Sequence, residues 1–358
     1  MRTPQRASLG IDSIEFKTQT FHKYLKKKGL STTAFKQFRD IILSHYHASP
    51  RPFPWRETVD PYKILVSEIM LQQTQTSRVV PKYHAFLERF PDFESLASGS
   101  LRDVLELWSG LGYNRRAKAL KDLAEIVVER FEGKLPNDRE ELQSLPGIGP
   151  YTSGAICTFA FNQPVVFMDT NIRRVYIHFF FPDQEKVRDS DILPLVEGTL
   201  VKENPRDWYY ALMDYGALLK SRPALIHGEK KKKKTNGKKS SRGAGKEGRK
   251  VKQAGWENPN RRSAHYTKQS PFEGSDRQIR GRLLKVLLSE EEGIKENELL
   301  QLTSSGGAEG VTTTERMQEK TPEEGSQLEK DRVRYILHQL EQEGFVKEEK
   351  GKYSIADK

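Results

Sequence analysis

An all-α protein is expected from three features of this chain. Apolar residues recur at three- and four-residue spacing through "YKILVSEIMLQQ", "LRDVLELWSGL", "RAKALKDLAEIVVERF" and "DWYYALMDYGALL", the period of helices with one buried face. Strand-like alternation is scarce across the same region. Proline and glycine breaks in "RFPDF", "GLGYN", "GKLPND" and "LPGIGP" divide the pattern into helices of ordinary length joined by short turns. Residues 32–225 therefore read as one multi-helix globule preceded by an N-terminal extension, residues 1–31. Trp208, Leu212 and Leu218 are expected to pack its last helix, and no fixed-period repeat points to a solenoid.

Beyond residue 225 the composition changes. Residues 230–252, "KKKKKTNGKKSSRGAGKEGRKVK", carry a net charge of +11, which leaves 48 basic against 48 acidic residues elsewhere. Such a Gly- and Ser-containing charge run buries too little surface to fold, so residues 226–275 are expected to form a disordered basic linker. It is either a solvated tether or a non-specific phosphate binder. Residues 276–358 read as a helix "DRQIRGRLLKVLLSE", a shorter helix at "KENELLQL", a polar insert, and a third helix followed by two short strands around "EEKGK". Three helices and a two-stranded wing resemble a winged-helix domain. With 14 basic and 18 acidic residues, it suits a protein-contact or architectural role as well as direct DNA binding.

Composition also excludes several classes. The 358 residues, 35% hydrophobic, include one cysteine, Cys157, which forms no internal disulfide and holds neither an iron–sulfur cluster nor a Cys-rich zinc site. No run of about 18 apolar residues occurs, and "MRTPQRASLGIDSIEF" lacks the apolar stretch of a secretory signal, so a soluble cytoplasmic protein is expected, nucleoid-associated if bacterial.

The chemistry concentrates between Ser144 and Arg174, "SLPGIGPYTSGAICTFAFNQPVVFMDTNIRR". "LPGIGPYTSGAI" reads as a hairpin and the start of a helix. Leu145 anchors the preceding helix, Gly147 and Gly149 permit positive φ and close backbone approach, and Thr152 or Ser153 can cap the next helix. Amides exposed at such a turn suit a phosphate oxygen, although a plain helix–turn–helix connection has the same signature. After a buried approach, Val165 to Met168, Asp169 stands before "TNIRRV", either as a simple N-cap or as a carboxylate able to stabilise positive charge developing on a sugar. A second carboxylate, Glu68, shares a helical face with Leu65, Ile69 and Gln72. It is either half of a structural salt bridge or an acid whose pKa is raised by desolvation so that it can protonate a leaving group. Gln72, Gln73 and Thr74 extend the same helix, with amides suited to fill the gap left by an extruded base.

In order and spacing, "SEIMLQQTQT", "LWSGLGYNRRAKAL", "LPGIGPYTSGAI", "MDTNIRRV" and "MDYGALLKSRP" resemble adenine DNA glycosylases of the MutY type, in the helix-hairpin-helix superfamily shared with endonuclease III. The resemblance covers residues 33–222. It implies a two-lobed helix-hairpin-helix glycosylase fold, with Glu68 protonating the adenine, Asp169 stabilising or trapping the sugar cation, and Tyr151 and Asn171 holding the acids and water. Arg51, Trp55, Arg56 and Leu71 resemble the wall of an adenine pocket. Gln73 and Tyr113 resemble residues that wedge into the duplex, and Gly147 and Gly149 a phosphate-binding hairpin. Tyr151 stands where strand-cleaving relatives carry a lysine, which implies a monofunctional enzyme.

Three departures from the family pattern are visible. Lys220 stands where the first of four cluster cysteines belongs, implying a clusterless variant with no metal or other cofactor. Tyr210 occupies a position expected to be acidic or amide. The basic linker and the winged-helix-like segment replace the family's Nudix-like domain. The expected partner is duplex DNA carrying adenine opposite 8-oxoguanine or guanine, bound by a monomer, with no membrane and no identified protein partner for the C-terminal domain. A thymine or uracil mismatch glycosylase of the same fold is the alternative enzyme, and a non-catalytic DNA-binding scaffold the alternative class.

Overall fold

Helices dominate the computed structural model, which describes residues 11–233, 257–268, 270–304 and 322–356. In chain order these form α1 (Ile11–Lys28), α2 (Thr32–Ala48), α3 (Pro61–Leu71), α4 (Thr76–Arg89), α5 (Phe93–Ser98), α6 (Leu101–Trp108), α7 (Arg115–Phe131) and α8 (Arg139–Ser144). They continue with α9 (Pro150–Phe159), α10 (Thr170–Phe180), α11 (Asp189–Thr199), α12 (Pro205–Lys233), α13 (Asp276–Leu288) and β1 (Ile294–Lys295). The last elements are α14 (Glu296–Ser304), α15 (Pro322–Gln342), β2 (Val346–Glu349) and β3 (Lys352–Ile355). Short polar side chains start many of the helices: Ser31, Asp60, Ser100, Asp138 and Asp169 each accept hydrogen bonds from first-turn amides, and Asp92 completes a capping box with Ser95, satisfying donors that have no partner within the helix. No helix among the described residues is long and apolar enough to cross a membrane.

The described residues divide into two compact units, one from Met1–Pro52 and Cys157–Lys268, the other from Phe53–Ile156 and Gln269–Lys358. The first is organised around Phe38 of α2, whose ring lies 5.0–5.8 Å from those of Tyr176, Phe179, Phe180 and Trp208. Phe21 of α1 packs edge-on against Phe179 and Phe180, so the N-terminal extension contributes a core helix. Trp208 and Leu212 are buried as expected, but Leu219 rather than Leu218 completes that face of α12.

The basic run lies mostly outside the described residues, whereas the end of the expected linker is folded. Pro259–Arg262 form a 3-10 turn, Val187 and Ser263 form a parallel bridge, and Asn260 Nδ2 donates to the Thr170 carbonyl at 2.8 Å. Polar side chains and backbone groups, rather than an apolar stripe, bind this segment to α10.

In the second unit, Phe86, Phe90, Leu105, Trp108 and Val127 are buried, and α5 and α6 pack on α7. The three C-terminal helices carry an antiparallel sheet in the order β1-β3-β2, so the expected two-stranded wing has a third, short strand. This C-terminal domain is fixed to α6 and α7. Arg102 of α6 donates to the carbonyls of Leu288 at 2.8 Å and Glu290 at 3.1 Å, placing a cation at the C-terminal end of α13. Glu343 is gripped by Arg115 of α7 at 2.6 Å and Arg280 of α13 at 2.5 Å. The hydrogen bonds from Arg115, then those from Arg280, lower the Glu343 pKa from 4.5 to about 2.

Because this pKa is depressed in the folded state, the stability it supplies is complete above about pH 4.5 and is lost as the pH falls toward 2. Glu343→Gln should lower Tm by about 2–4 °C at pH 7, as ~1 kcal/mol does in a protein of this size. The gap between variant and wild type should narrow as thermal unfolding is followed down to pH 3; an equal gap at both pH values would count against the cluster.

Candidate active site

In the second unit, Glu68 lies on α3 among the buried side chains of Leu65 and Ile69, a position set by the Asp60 cap and Pro61 at the helix start. Its side chain is buried, with 6% of the residue exposed. The Tyr151 hydroxyl, from the first turn of α9, donates to Glu68 Oε2 at 3.2 Å. A phenol on one oxygen fixes the carboxyl plane and compensates part of the desolvation.

The hairpin between α8 and α9 makes this contact possible. Leu145 is buried, Gly147 has φ +75°, and a Cβ there would come 3.1 Å from the Ala119 methyl. Both conformation and space therefore require glycine at Gly147. Gly149 does not have the expected positive φ; open space surrounds its Cβ position, leaving the backbone approachable. Thr152 and Ser153 do not serve as the expected caps. Thr152 Oγ1 accepts from Gln72 Nε2 at 3.2 Å, tying α9 to the end of α3, and Ser153 Oγ donates to the Pro150 carbonyl.

Gln72, Gln73 and Thr74 do not continue the helix as expected: α3 ends at Leu71 with Gln72 as its C-cap, and Gln73 turns left-handed at φ +55°. Tyr113, in the loop after α6, does the same at φ +51°. Each such residue costs about 1–2 kcal/mol, and one side chain accounts for both loops persisting. Arg116 Nη1 donates to the carbonyls of Ile69 at 2.8 Å, Met70 at 3.0 Å and Gln72 at 2.6 Å, while Nη2 donates to Thr74 Oγ1 at 3.1 Å and the Gly112 carbonyl at 2.9 Å. Burial lowers its pKa to about 10, so it remains charged at neutral pH.

In the first unit, Asp169 caps α10. Its Oδ1 accepts from the amides of Asn171 at 2.8 Å and Ile172 at 2.7 Å, and Oδ2 accepts from Asn171 Nδ2 at 2.9 Å. The residue retains some exposed surface, but the enclosure of its carboxyl group raises the pKa above the ordinary 3.8, opposed by these three hydrogen bonds and by Arg174. Arg174, 4% exposed, donates to Asn171 Oδ1 at 2.8 Å, the Gly216 carbonyl at 2.8 Å and Asn258 Oδ1 at 3.0 Å. A Cβ on Gly216 would lie 2.5 Å from the Asn171 carbonyl oxygen, which is why α12 carries glycine there. Of the expected buried approach Val165–Met168, only Phe167 is buried. Its ring stacks on Tyr209 with centroids 3.9 Å apart, and the Tyr209 hydroxyl donates to the Val165 carbonyl at 2.9 Å.

The expected pocket-wall residues differ in setting. Trp55 is buried, stacked on Phe53 at 5.0 Å and edge-on to Tyr83, and the Arg56 guanidinium lies 5.2 Å from the Phe53 centroid. Leu71 is partly exposed at the end of α3. Arg51 belongs to the first unit, where its Nε donates to Asp214 at 2.5 Å. Tyr210 is a core residue, stacked on Phe159 at 4.4 Å with a 4° interplanar angle. Sequence reasoning missed Arg116, Arg174 and Tyr209, each one of an adjacent like pair. Only the i, i+3 spacing of Asn171 and Arg174 hinted at a contact.

Residues 66–191 match the HhH-GPD superfamily base excision DNA repair protein. An adenine DNA glycosylase of Buchnera aphidicola subsp. Baizongia pistaciae is 38% identical over 189 residues, covering 52% of this chain and 54% of that protein. One of Mycobacterium tuberculosis (strain ATCC 25618 / H37Rv) is 35% identical over 269 residues, covering 72% of this chain and 81% of that protein. A solved structure of a thermostable thymine-DNA glycosylase is 30% identical and covers 51% of this chain and 86% of that one, with a TM-score of 0.47. The chain belongs to the adenine DNA glycosylase family. It spans about half the length of the Buchnera relatives.

The Asp169 carboxyl should titrate above 3.8 when followed by its 13C chemical shift. Asn171→Ala removes a hydrogen bond that lowers this pKa, so the midpoint should move further up; an unchanged or lower midpoint would contradict the assigned network.

Proposed function

We propose that the chain is a monofunctional DNA glycosylase that hydrolyses the N-glycosidic bond of adenine mispaired with 8-oxoguanine or guanine in duplex DNA, acting as a monomer. The observation that carries this reading is the contrast between its two family-motif carboxylates. Glu68 is buried among apolar side chains and accepts from the Tyr151 hydroxyl, a position from which a protonated carboxyl can deliver its proton to a leaving group. Asp169 accepts from two helix amides and an amide side chain, with Arg174 nearby, the setting of a carboxylate that stabilises approaching positive charge.

In the proposed reaction, Glu68 gives its proton to the imidazole ring of the extruded adenine, and the electrons of the C1′–N bond leave with the base. Asp169 stabilises the resulting oxocarbenium-like sugar or traps it briefly, and water supplies the hydroxyl that completes an abasic site. Tyr151 and Asn171 orient the two acids. Gln73 and Tyr113 enter the duplex beside the extruded base with Gln72 helping to fill the gap it leaves, Gly147 and Gly149 approach the phosphate backbone, and Trp55, Arg56 and Leu71 form a wall for the base.

A four-iron cluster does not fit this chain. Cys157 is its single cysteine and is buried, and Lys220 lies within α12. No step therefore runs through such a group. Purified protein should contain less than stoichiometric iron and show no visible charge-transfer band; a full complement of iron would refute this.

Single-turnover assays on duplexes carrying A, T or U opposite 8-oxoguanine or guanine test the base assignment. Release of adenine alone is expected, and preferential release of thymine or uracil would overturn it. Glu68→Gln and Asp169→Asn should each slow release at least ~100-fold while sparing most duplex affinity. The product strand should break only in hot alkali, because Tyr151 supplies no amine for a Schiff base.

A further inference from the structure

The C-terminal domain reaches directly into the loop that carries Tyr113. Arg277, in the first turn of α13, donates through Nη1 to the Tyr113 hydroxyl at 2.7 Å, and its guanidinium carbon lies 5.7 Å from the ring centroid. The same guanidinium is held through Nη2 by the Ser270 carbonyl at 3.0 Å, the Ser270 hydroxyl at 3.3 Å and the Pro271 carbonyl at 3.4 Å. A planar fork occupied at one tip has little freedom left at the other. Arg116 lies 5.5 Å from the same ring centroid, so two cations restrain one phenol whose backbone is left-handed.

Nor can α13 drift. Arg102 ties its C-terminal end to α6 and Arg280 ties its centre, through Glu343, to Arg115 of α7, while Arg277 meets Tyr113 at its N-terminal end. These anchors all fall on α13, whereas the exposed arginines of α15 are neutralised within the domain, Arg332 by Asp276 and Arg334 by Glu296. The domain is thus held to α6, to the loop after it and to α7, and Arg277 is its contact with the Tyr113 side chain.

We propose that Arg277 is a positioning residue for strand separation: the C-terminal domain holds the Tyr113 ring in the pose that enters the duplex and thereby favours extrusion of the target base. This rests on the reading of Tyr113 as a wedge residue given under Proposed function. The hydroxyl accepts from Arg277, so the ring is held before DNA arrives. Binding then does not have to order this side chain. The arrangement gives the winged-helix-like domain a task that requires no groove-reading helix.

The test is a double-mutant cycle on the full chain, using a duplex with 2-aminopurine opposite 8-oxoguanine, whose fluorescence rises as the base leaves the stack. At saturating protein, Arg277→Ala and Tyr113→Ala should each reduce the extruded fraction about 5- to 10-fold, and the double variant should fall no further than Tyr113→Ala alone. Arg277→Lys, which keeps a cation and a donor, should recover most of the loss. Tyr113→Phe, which keeps the ring but loses the acceptor, should lose about as much as Arg277→Ala, and combining the two should deepen neither loss. The slope of log affinity against log salt should be unchanged in Arg277→Ala, whereas a direct phosphate contact would reduce it by about one. Wild-type extrusion in Arg277→Ala, full additivity in the double variant, or that change in salt slope would each overturn the proposal. Failure of wild-type protein to release adenine while it extrudes 2-aminopurine would instead overturn the proposed chemistry and leave the role of Arg277 standing.

Discussion

A carboxyl group withdrawn from water must be given donors or kept neutral, and much of this fold answers that constraint twice. For Asp169 the donors are the first amides of its own helix and the Asn171 side chain. That arrangement calls in Arg174 to occupy Asn171 Oδ1, a bare Gly216 so that α12 can come close, and Asn258 to take the remaining face of the guanidinium. For Glu68 one donor is a phenol more than 80 residues later in the chain. It reaches the carboxyl only because a left-handed glycine tightens the turn before α9. Removing one of these partners would leave a charge or dipole uncompensated in a low-dielectric setting, which costs more than the original bond contributes.

The second unit shows the same economy in its cations. Arg116 stitches the end of α3 to the loop after α6, and its neighbour Arg115 faces outward to Glu343 of the C-terminal domain. Two consecutive arginines thus serve two different joins, one buried and one at a domain contact. The buried one explains how two left-handed residues, Gln73 and Tyr113, are held in place by the same side chain.

The helices of residues 32–225 were legible because period and breakers are local signals, and both carboxylates were legible because each is a local anomaly. Glu68 interrupts an apolar stripe, and Asp169 stands one residue before a helix pattern. The network around them was not legible. Arg116, Arg174, Tyr209 and Asn258 act on partners that are mostly 40 or more residues away, and nothing in "NRRAKAL", "IRRV" or "WYYAL" separates the working member of each pair from its neighbour. The docked segment 257–266 escaped for a related reason. It binds through asparagine, arginine and backbone groups, so its composition matches that of a loop. Helix α1 was hidden by its lysines, although it buries Phe21 fully.

Because Arg39 bonds the Thr199 carbonyl and Glu343 bonds Arg115, neither unit is a continuous stretch of polypeptide. Each is assembled from two pieces, and the pieces alternate along the chain. During synthesis from the N-terminus, α10 emerges long before the residues that complete its surroundings, and α7 waits for nearly the whole chain to be made. The helices form early from local contacts, while closure of the second unit waits on the last quarter of the sequence. A premature stop in that quarter would therefore leave the second unit unfinished, with α6 and α7 stripped of their partners, rather than merely remove a tail.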